Sequence, residues 1–390
     1  MAALVNKIKY NKFLYMCYYY IGNIAVSIIK TFFKPQDSLV LFVSFGGRRF
    51  DDSPKAIFDE LIKDSRFDGY DLVWAFVEPE KYVLPRGRKI RIDTFTYYKS
   101  LLKARVWITN SSMTRGLNFI GKNTFQLNTW HGSAIKKMGK DISDSSKSFR
   151  VKGRKDYTSV MLAQSQYDVD VFSRVFRISK DKFRIIGLPR NDELATASDE
   201  QKSCIKEALG LPYDKKVILY APTYREYEKD SSNNCVLVPP IDFVKWKQYL
   251  GDSFVVLFRA HYEVVRVMNI IENDFMKDVS SYPRLNDLMI ASDILVSDYS
   301  SIFFDYAIMG KPMISFCYDY NRYEIERGMY FDIRNYLPYA DNEDSLLELI
   351  KQTDFYNESM PTIKFRDAFV TEYGTASKKA LDIIYNEISK

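Results

Sequence analysis

From residue 37 onward, short apolar runs alternate with amphipathic segments. Leu39–Phe45, Leu72–Val77, Lys89–Ile92, Val106–Thr109 and Thr124–Thr129 have strand-like composition. Between them, Pro54–Lys63 puts Ala56, Ile57, Phe58, Leu61 and Ile62 at helical spacing, and Thr96–Ala104 reads as a second helix. The rhythm breaks over residues 133–157, which are polar. It resumes with a strand at Val160–Ala163, a helix near Gln166–Phe176 and a strand at Phe183–Ile186. A helix within 195–214 closes this half. A second half begins at Lys216. Its strands are Val217–Tyr220, Phe254–Phe258, Ile294–Val296 and Pro312–Phe316, with helices over 285–291 and 300–309. The last segment, 344–388, is helical with one break near 355–361. Strands alternating with helices predict an α/β protein built on parallel sheets covered on both faces. The divisions expected are 1–36, 37–200 and 201–390. Two such halves place ligands beyond the carboxyl ends of the strands, in a cleft that the halves face.

Residues 1–36 stand apart. They carry Lys7, Lys9, Lys12, Lys30 and Lys34 and no acid, which takes five of the net charge of +6. The same segment holds the most apolar run, Phe13–Ile29 (FLYMCYYYIGNIAVSII). It is short for a spanning helix, which needs about 20 apolar residues, and Gly22 and Asn23 interrupt it. Tyrosines within and lysines at both ends favour an amphipathic helix lying at a membrane surface. The alternative is a helix packed on the core or on a partner. With this segment removed, charge is nearly balanced, which excludes a generally basic nucleic-acid binder. Length (390 residues) suggests two domains at roughly 150 residues each. Four scattered cysteines and two histidines exclude a disulfide framework and a Cys- or His-rich metal centre.

The chemistry-bearing residues gather at strand ends. His131 follows one predicted strand and His261 another, at equivalent places in the two halves. A strand-end imidazole beside a glycine (Trp130-His131-Gly132) can act as a general base, although a lone histidine is often structural. Arg190, Arg225 and Arg259 sit at three strand-to-loop junctions, where guanidinium forks suit phosphate oxygens. The alternative is pairing with a local carboxylate, Asp192 or Glu226. Ser297-Asp298-Tyr299-Ser300-Ser301 opens a helix that carries Asp305 on the same face, an arrangement that caps a helix or meets a phosphate. Residues 136–155 hold eight Lys/Arg against two Asp. This loop suits an anionic acceptor group or a membrane surface, or is simply a solvated lysine loop.

Taken in order, these segments resemble the CDP-glycerol glycerophosphotransferase family of teichoic acid synthesis, which includes primases and polymerases. The matching blocks are Thr129-Trp130-His131-Gly132-Ser133 with Lys136, Gly187-Leu188-Pro189-Arg190-Asn191-Asp192, Ala221-Pro222-Thr223-Tyr224-Arg225 and Arg259-Ala260-His261. Ser297 through Asp305 and Gly310-Lys311-Pro312 with Phe316, Tyr318 and Tyr323 complete the set. Two positions depart from the family pattern, with Tyr262 where proline is usual and Ser133-Ala134 where Thr-Pro is common.

The resemblance implies a GT-B-like fold of two Rossmann-like domains. It implies transfer of glycerol phosphate from CDP-glycerol to a lipid-linked polyprenyl-pyrophosphate glycan or polymeric acceptor, releasing CMP, at the cytoplasmic face of the membrane. It makes His131 and His261 catalytic. It puts Arg190, Arg225, Arg259, Ser297, Asp298, Ser300, Ser301 and Asp305 at the donor, and Trp130, Gly132, Ser133 and Lys136 at the acceptor or its loop. No metal ligand set is apparent, and a divalent cation is left open. Alternatives are a CDP-ribitol-dependent ribitol-phosphate transferase, a GT-B glycosyltransferase using a sugar nucleotide, and a non-enzymatic membrane-bound scaffold.

Overall fold

A computed structural model of the chain describes residues 11–142, 157–225, 227, 235–237, 239–260, 264–267, 273–357 and 359–389. The chain divides into two compact units. One comprises Met1–His131, Gly139–Asp192 and Glu372–Lys390, and the other Gly132–Met138 and Glu193–Thr371. The division therefore differs from a single boundary at 200/201, because the chain's last helix returns to the first unit.

In the first unit, seven strands form one sheet. They are β1 (Gln36–Val43), β2 (Asp71–Phe76), β3 (Arg88–Arg91), β4 (Ala104–Thr109), β5 (Phe125–Asn128), β6 (Val160–Ala163) and β7 (Phe183–Ile185). Their order is β3-β2-β1-β4-β5-β6-β7, and every pairing is parallel. A parallel sheet is covered on both sides, so its strands read as continuous apolar runs rather than alternating ones. Leu39–Val43 is such a run, buried throughout. Val40, Phe42, Trp74 and Phe76 face a core shared with helix Asp52–Leu61 and with Ala380, Leu381 and Ile384 of helix Ala376–Ile388. Leu39, Leu41, Val43 and Trp107 face the opposite core, beneath helices Phe95–Lys103 and Lys12–Lys30. Burying each large apolar side chain of the C-terminal helix is worth about 1.5–3 kcal/mol, which explains its return to this unit. Gly187, at φ +89°, lets the returning chain pass closely, since a Cβ there would lie 2.7 Å from the Glu372 carbonyl oxygen.

The basic apolar segment is one helix, Lys12–Lys30. Gly22 and Asn23 are contact points rather than interruptions. A Cβ on Gly22 would come within 2.9 Å of Leu117, and Asn23 Oδ1 accepts from the Asn118 N–H at 2.8 Å. Val26 enters the core, while Phe13, Tyr20, Ile21, Ile24, Ile28 and Phe32 remain exposed. No described helix is long and apolar enough to cross a membrane.

In the second unit, β8 (Lys216–Tyr220), β9 (Cys235–Leu237), β10 (Phe254–Phe258), β11 (Val264–Val267), β12 (Met276–Asp278), β13 (Ile294–Ser297), β14 (Met313–Phe316) and β15 (Tyr339–Ala340) form two sheets. The larger has the order β12-β10-β8-β13-β14-β15, all parallel, and β11 pairs with β9 separately. β9, β11, β12 and β15 were not expected from the sequence; β9, β12 and β15, of two or three residues, are too short to show a period. The helix expected over 300–309 is Ile302–Tyr306 followed by a 3₁₀ turn, Ala307–Met309. The segment 344–388 is three helices rather than two: Glu343–Gln352, Met360–Phe369 and Ala376–Ile388.

Candidate active site

In the first unit the strand order reverses between β1 and β4, and the segments that follow these two strands meet at the sheet's carboxyl edge. Asn110, just past β4, organises it. Its Oδ1 accepts from the Phe45 N–H at 2.8 Å, its Nδ2 donates to Ser44 Oγ, and its carbonyl lies 2.8 Å from His131 Nδ1. A carbonyl only accepts, so Nδ1 carries the proton and Nε2 keeps its lone pair. Burial lowers the His131 pKa below the usual 6.5, opposed by the Asn110 carbonyl and by Asp52. The imidazole is held neutral, with its basic nitrogen unprotonated.

Arg190 closes the other side. Its guanidinium donates to Asp52 Oδ2 at 2.7 Å and to the His131 carbonyl at 2.9 Å. The Asp52 carboxylate is buried and also accepts from the Ser53 N–H. Asp192, the local carboxylate that was the alternative partner, instead accepts the Ala376 and Ser377 N–H groups at 2.8 and 2.7 Å, capping the C-terminal helix. Trp130 lies with its ring 4.0 Å from that of His131 and 4.5 Å from Phe176. Phe45, Asp52 and Trp130 all have positive φ, at 46°, 66° and 51°. Each such residue costs about 1–3 kcal/mol, and three of them surround one imidazole.

His131 is the last residue of its segment in the first unit. Gly132, Ser133 and Lys136 belong to the second unit. There the Tyr330 N–H donates to the Ile135 carbonyl, and the Lys136 ammonium lies 5.5 Å from the Tyr224 ring and 5.8 Å from that of Tyr323. Ser133 is buried.

At the carboxyl ends of β8 and β13, where the second sheet reverses, Arg225 is fully enclosed. It donates from Nε and Nη2 to Asp319 at 2.6 and 2.9 Å, and from Nη1 to Asp298 Oδ2 at 2.8 Å and to the Thr223 carbonyl at 2.6 Å. The rings of Tyr299, Tyr318 and Tyr323 pack around it within 5.3 Å. Arg225 is 1% exposed. The carboxylates it meets are Asp298 and Asp319, not Glu226.

Asp298 also accepts from the N–H groups of Thr223 and Tyr299, and the buried Ser297 hydroxyl donates to the Ala221 carbonyl. Asp305 is buried as well. The Ser297 and Asp298 side chains are thus hydrogen-bonded to the loop that follows β8. Ser300 and Ser301 are half-exposed, and Ser300 Oγ accepts from the Ile302 N–H. Arg259 donates to the Val279 and Tyr282 carbonyls, which ties down the loop after β12. Lys311 donates to the Ile290 and Ser292 carbonyls at the end of helix Leu285–Ala291, and burial lowers its pKa to about 7. His261 and most of the basic 136–155 loop lie outside the described residues. Among the described residues, no cluster of three or more His, Cys, Asp or Glu is placed to hold a metal ion.

A model of the family described as CDP-Glycerol:Poly(glycerophosphate) glycerophosphotransferase matches residues 26–386. The chain belongs to this family. It is accordingly an enzyme of the glycerophosphotransferase class.

A teichoic acid glycerol-phosphate transferase of Staphylococcus aureus (strain NCTC 8325 / PS 47) is 31% identical over 369 residues, covering 90% of this chain and 94% of the relative. A teichoic acid poly(glycerol phosphate) polymerase of Staphylococcus epidermidis (strain ATCC 35984 / DSM 28319 / BCRC 17069 / CCUG 31568 / BM 3577 / RP62A) is 32% identical over 375 residues. The match covers 90% of this chain but only 51% of that polymerase. The solved wall teichoic acid polymerase TagF superposes with a TM-score of 0.82 at 30% identity, covering 94% of each chain. The two parallel-sheet units thus match a TagF-like GT-B fold.

Asp52 and Asn110 join the candidate site around His131 and were not expected there from the sequence. Asn110 directly follows the expected strand Val106–Thr109, and that strand-end position was the available signal. Asp52 opens an ordinary amphipathic helix and offered none.

Proposed function

We propose that the chain transfers glycerol phosphate from CDP-glycerol to a hydroxyl of a lipid-linked or polymeric acceptor, releasing CMP, in the synthesis of teichoic acid or a related capsular polymer. The carrying observation is His131, whose Nδ1–H is committed to the Asn110 carbonyl while burial keeps Nε2 free to take a proton. The acceptor oxygen attacks the phosphorus that bears glycerol. A new O–P bond forms there, the bond to the CMP phosphate oxygen breaks, and the acceptor proton passes to His131 Nε2. CMP leaves with the electron pair. Such transfers rely on positioning and charge stabilisation rather than covalent catalysis.

Arg190 and Asp52 hold the His131 backbone and serve as positioning residues. Of the residues expected at the donor, we assign contact with its phosphates to Ser300 and Ser301, joined by His261 from the expected catalytic pair, and we assign Arg225, Asp298 and Ser297 to the scaffold beneath them. The names of the relatives support the donor class. Solved structures of TagF include a histidine variant with CDPG, with a TM-score of 0.81 and 30% identity to this chain.

The enzyme works, in this proposal, at the cytoplasmic membrane face. The exposed row Phe13, Tyr20, Ile24 and Ile28 recurs every seven or four residues along one helix face, as a membrane-surface helix requires. Calorimetric titration of the purified chain with CDP-glycerol, CDP-ribitol and UDP-sugars tests the donor. Saturable binding of CDP-glycerol is expected. Tighter binding of CDP-ribitol would change the polyol, and binding of UDP-sugars alone would make the chain a glycosyltransferase.

A further inference from the structure

The turn after β1 is strained and pinned from the same strand end that fixes His131. Phe45, Gly46 and Gly47 have consecutive positive φ, at 46°, 62° and 85°. The Phe45 N–H donates to Asn110 Oδ1 at 2.8 Å and the Gly46 N–H to Ser111 Oγ at 3.0 Å. The Gly47 N–H returns to the Ser44 carbonyl at 2.9 Å, and the Arg48 carbonyl accepts from the Tyr82 hydroxyl at 2.7 Å. Two more left-handed residues follow β3 and β4, Asp93 at φ 61° and Arg115 at φ 52°. Non-glycine residues persist in this region only where their surroundings hold them, and such places cluster at ligand clamps.

These turns bring cations together. Arg48 Nη1 and Arg115 Nη1 lie 3.8 and 4.0 Å from the point where a Cβ on Gly46 would stand, with the Ser112 carbonyl oxygen at 3.9 Å. Arg115 gives Nε and Nη2 to Asp93 at 3.0 and 2.7 Å, and its Nη1 lies outside that pair. Both arginines are exposed. Arg49 adds a third guanidinium, 5.6 Å from the Phe45 ring, and that ring lies 5.5 Å from the imidazole of His131. Of the carboxylates close by, Asp93 is held by Arg115 and Asp52 by Arg190, and burial raises the pKa of Asp51. Like charges gathered around one glycine repel each other, and an anion between them removes that cost. Guanidinium forks fit phosphate oxygens in particular.

The surroundings narrow the source of the phosphate. The Tyr18 hydroxyl, on helix Lys12–Lys30, donates to the Arg115 carbonyl at 3.0 Å, so the arginines adjoin the helix assigned to the membrane surface. In the proposed reaction the acceptor hydroxyl stands at His131. An acceptor that already ends in glycerol phosphate carries a phosphodiester one glycerol unit from that hydroxyl, whereas an acceptor ending in a bare sugar does not. We propose that Arg48 and Arg115, with Arg49 beside them, bind this phosphodiester and so select acceptors already bearing glycerol phosphate. The inference rests on the transferase reading and goes beyond it in naming the acceptor terminus and the residues that read it.

The probe is glycerophosphoglycerol, a soluble phosphodiester with a glycerol on each side, and uncharged diglycerol is the control. Phosphorus NMR of the probe titrated with the full chain reads weak binding directly. A saturable shift that diglycerol does not reverse is expected. Arg48→Gln and Arg115→Gln should each raise the probe Kd about 5- to 10-fold, and Arg48→Lys, which keeps the charge, should lose less. The CDP-glycerol Kd and the melting temperature should stay as in the parent chain, and in turnover the KM for a glycerol-phosphate-terminated acceptor should rise with kcat held. No saturable shift, or a probe Kd unchanged in both Gln variants, would overturn the site. Weaker CDP-glycerol binding in both would move the arginines to the donor. Lost flotation with phosphatidylglycerol vesicles, with probe binding intact, would make them a lipid-headgroup contact. Either result also overturns the proposal. Failure of the parent chain to bind CDP-glycerol would instead sink the transferase reading, and the probe titration would still report on the arginines.

Discussion

Replacing Arg225 separates two roles that a strand-end arginine can have. In the structure its guanidinium is 1% exposed and lies between Asp298 and Asp319, with four hydrogen bonds of 2.6–2.9 Å. Arg225→Met keeps most of the volume and removes the charge. Two carboxylates would then be left against Tyr299, Tyr318 and Tyr323 without a cation. Breaking a buried ion pair from one side costs about 3–5 kcal/mol, because the remaining charge stays desolvated. For a unit of this size each kcal/mol shifts the melting temperature by about 2–4 °C, so a fall of roughly 6–20 °C is expected. Calorimetry reads it, and fluorescence of Trp246, buried in the core of the second unit, follows the same unit in urea. Adding Asp298→Asn and Asp319→Asn to Arg225→Met should recover a large part of the loss, since the uncompensated charges are gone. A variant that melts within about 2 °C of the parent while losing CDP-glycerol affinity would refute the reasoning and restore Arg225 as a phosphate ligand.

Three further outcomes follow from the geometry. Burial lowers the His131 pKa, so the acid limb of kcat/KM should have its midpoint below pH 6.5, as long as His131 is the base. By linkage, the stability from burying the neutral ring is present above about pH 6.5 and is lost as pH falls through the lowered native value; a limb above 6.5 would contradict this. Asp192→Ala removes the cap on helix Ala376–Ile388 and should cost about 1–2 kcal/mol in urea unfolding with catalysis little changed. Ile21→Glu with Ile24→Glu, both on the exposed face of helix Lys12–Lys30, should abolish flotation with anionic vesicles while leaving the melting temperature intact.

The strand framework was legible because parallel strands buried on both faces advertise themselves as apolar runs. Leu39–Phe45 and Phe254–Phe258 needed no tertiary information. β9, β12 and β15 have three, three and two residues, too few for any periodicity, and their pairing is decided by neighbours. The return of helix Ala376–Ile388 to the first unit was hidden for another reason. Ala380, Leu381 and Ile384 mark an apolar face but not which core receives it. Site residues followed the same divide. His131 was visible from its strand-end position. Its partners were not, because Asn110 and Asp52 come from other strand ends and are brought to it only by sheet order. The ion pairs of Arg225 were hidden by the same limit, since its carboxylates lie 73 and 94 residues further along the chain.

The central claim is that His131 takes the acceptor proton while the donor site operates without it. The direct measurement is transfer of labelled glycerol phosphate from CDP-glycerol to a membrane-embedded acceptor by the parent chain and by His131→Ala, alongside the CDP-glycerol Kd of both. The account predicts a rate reduced about 10²–10⁴-fold with the Kd unchanged. Transfer at the parent rate by His131→Ala would contradict it.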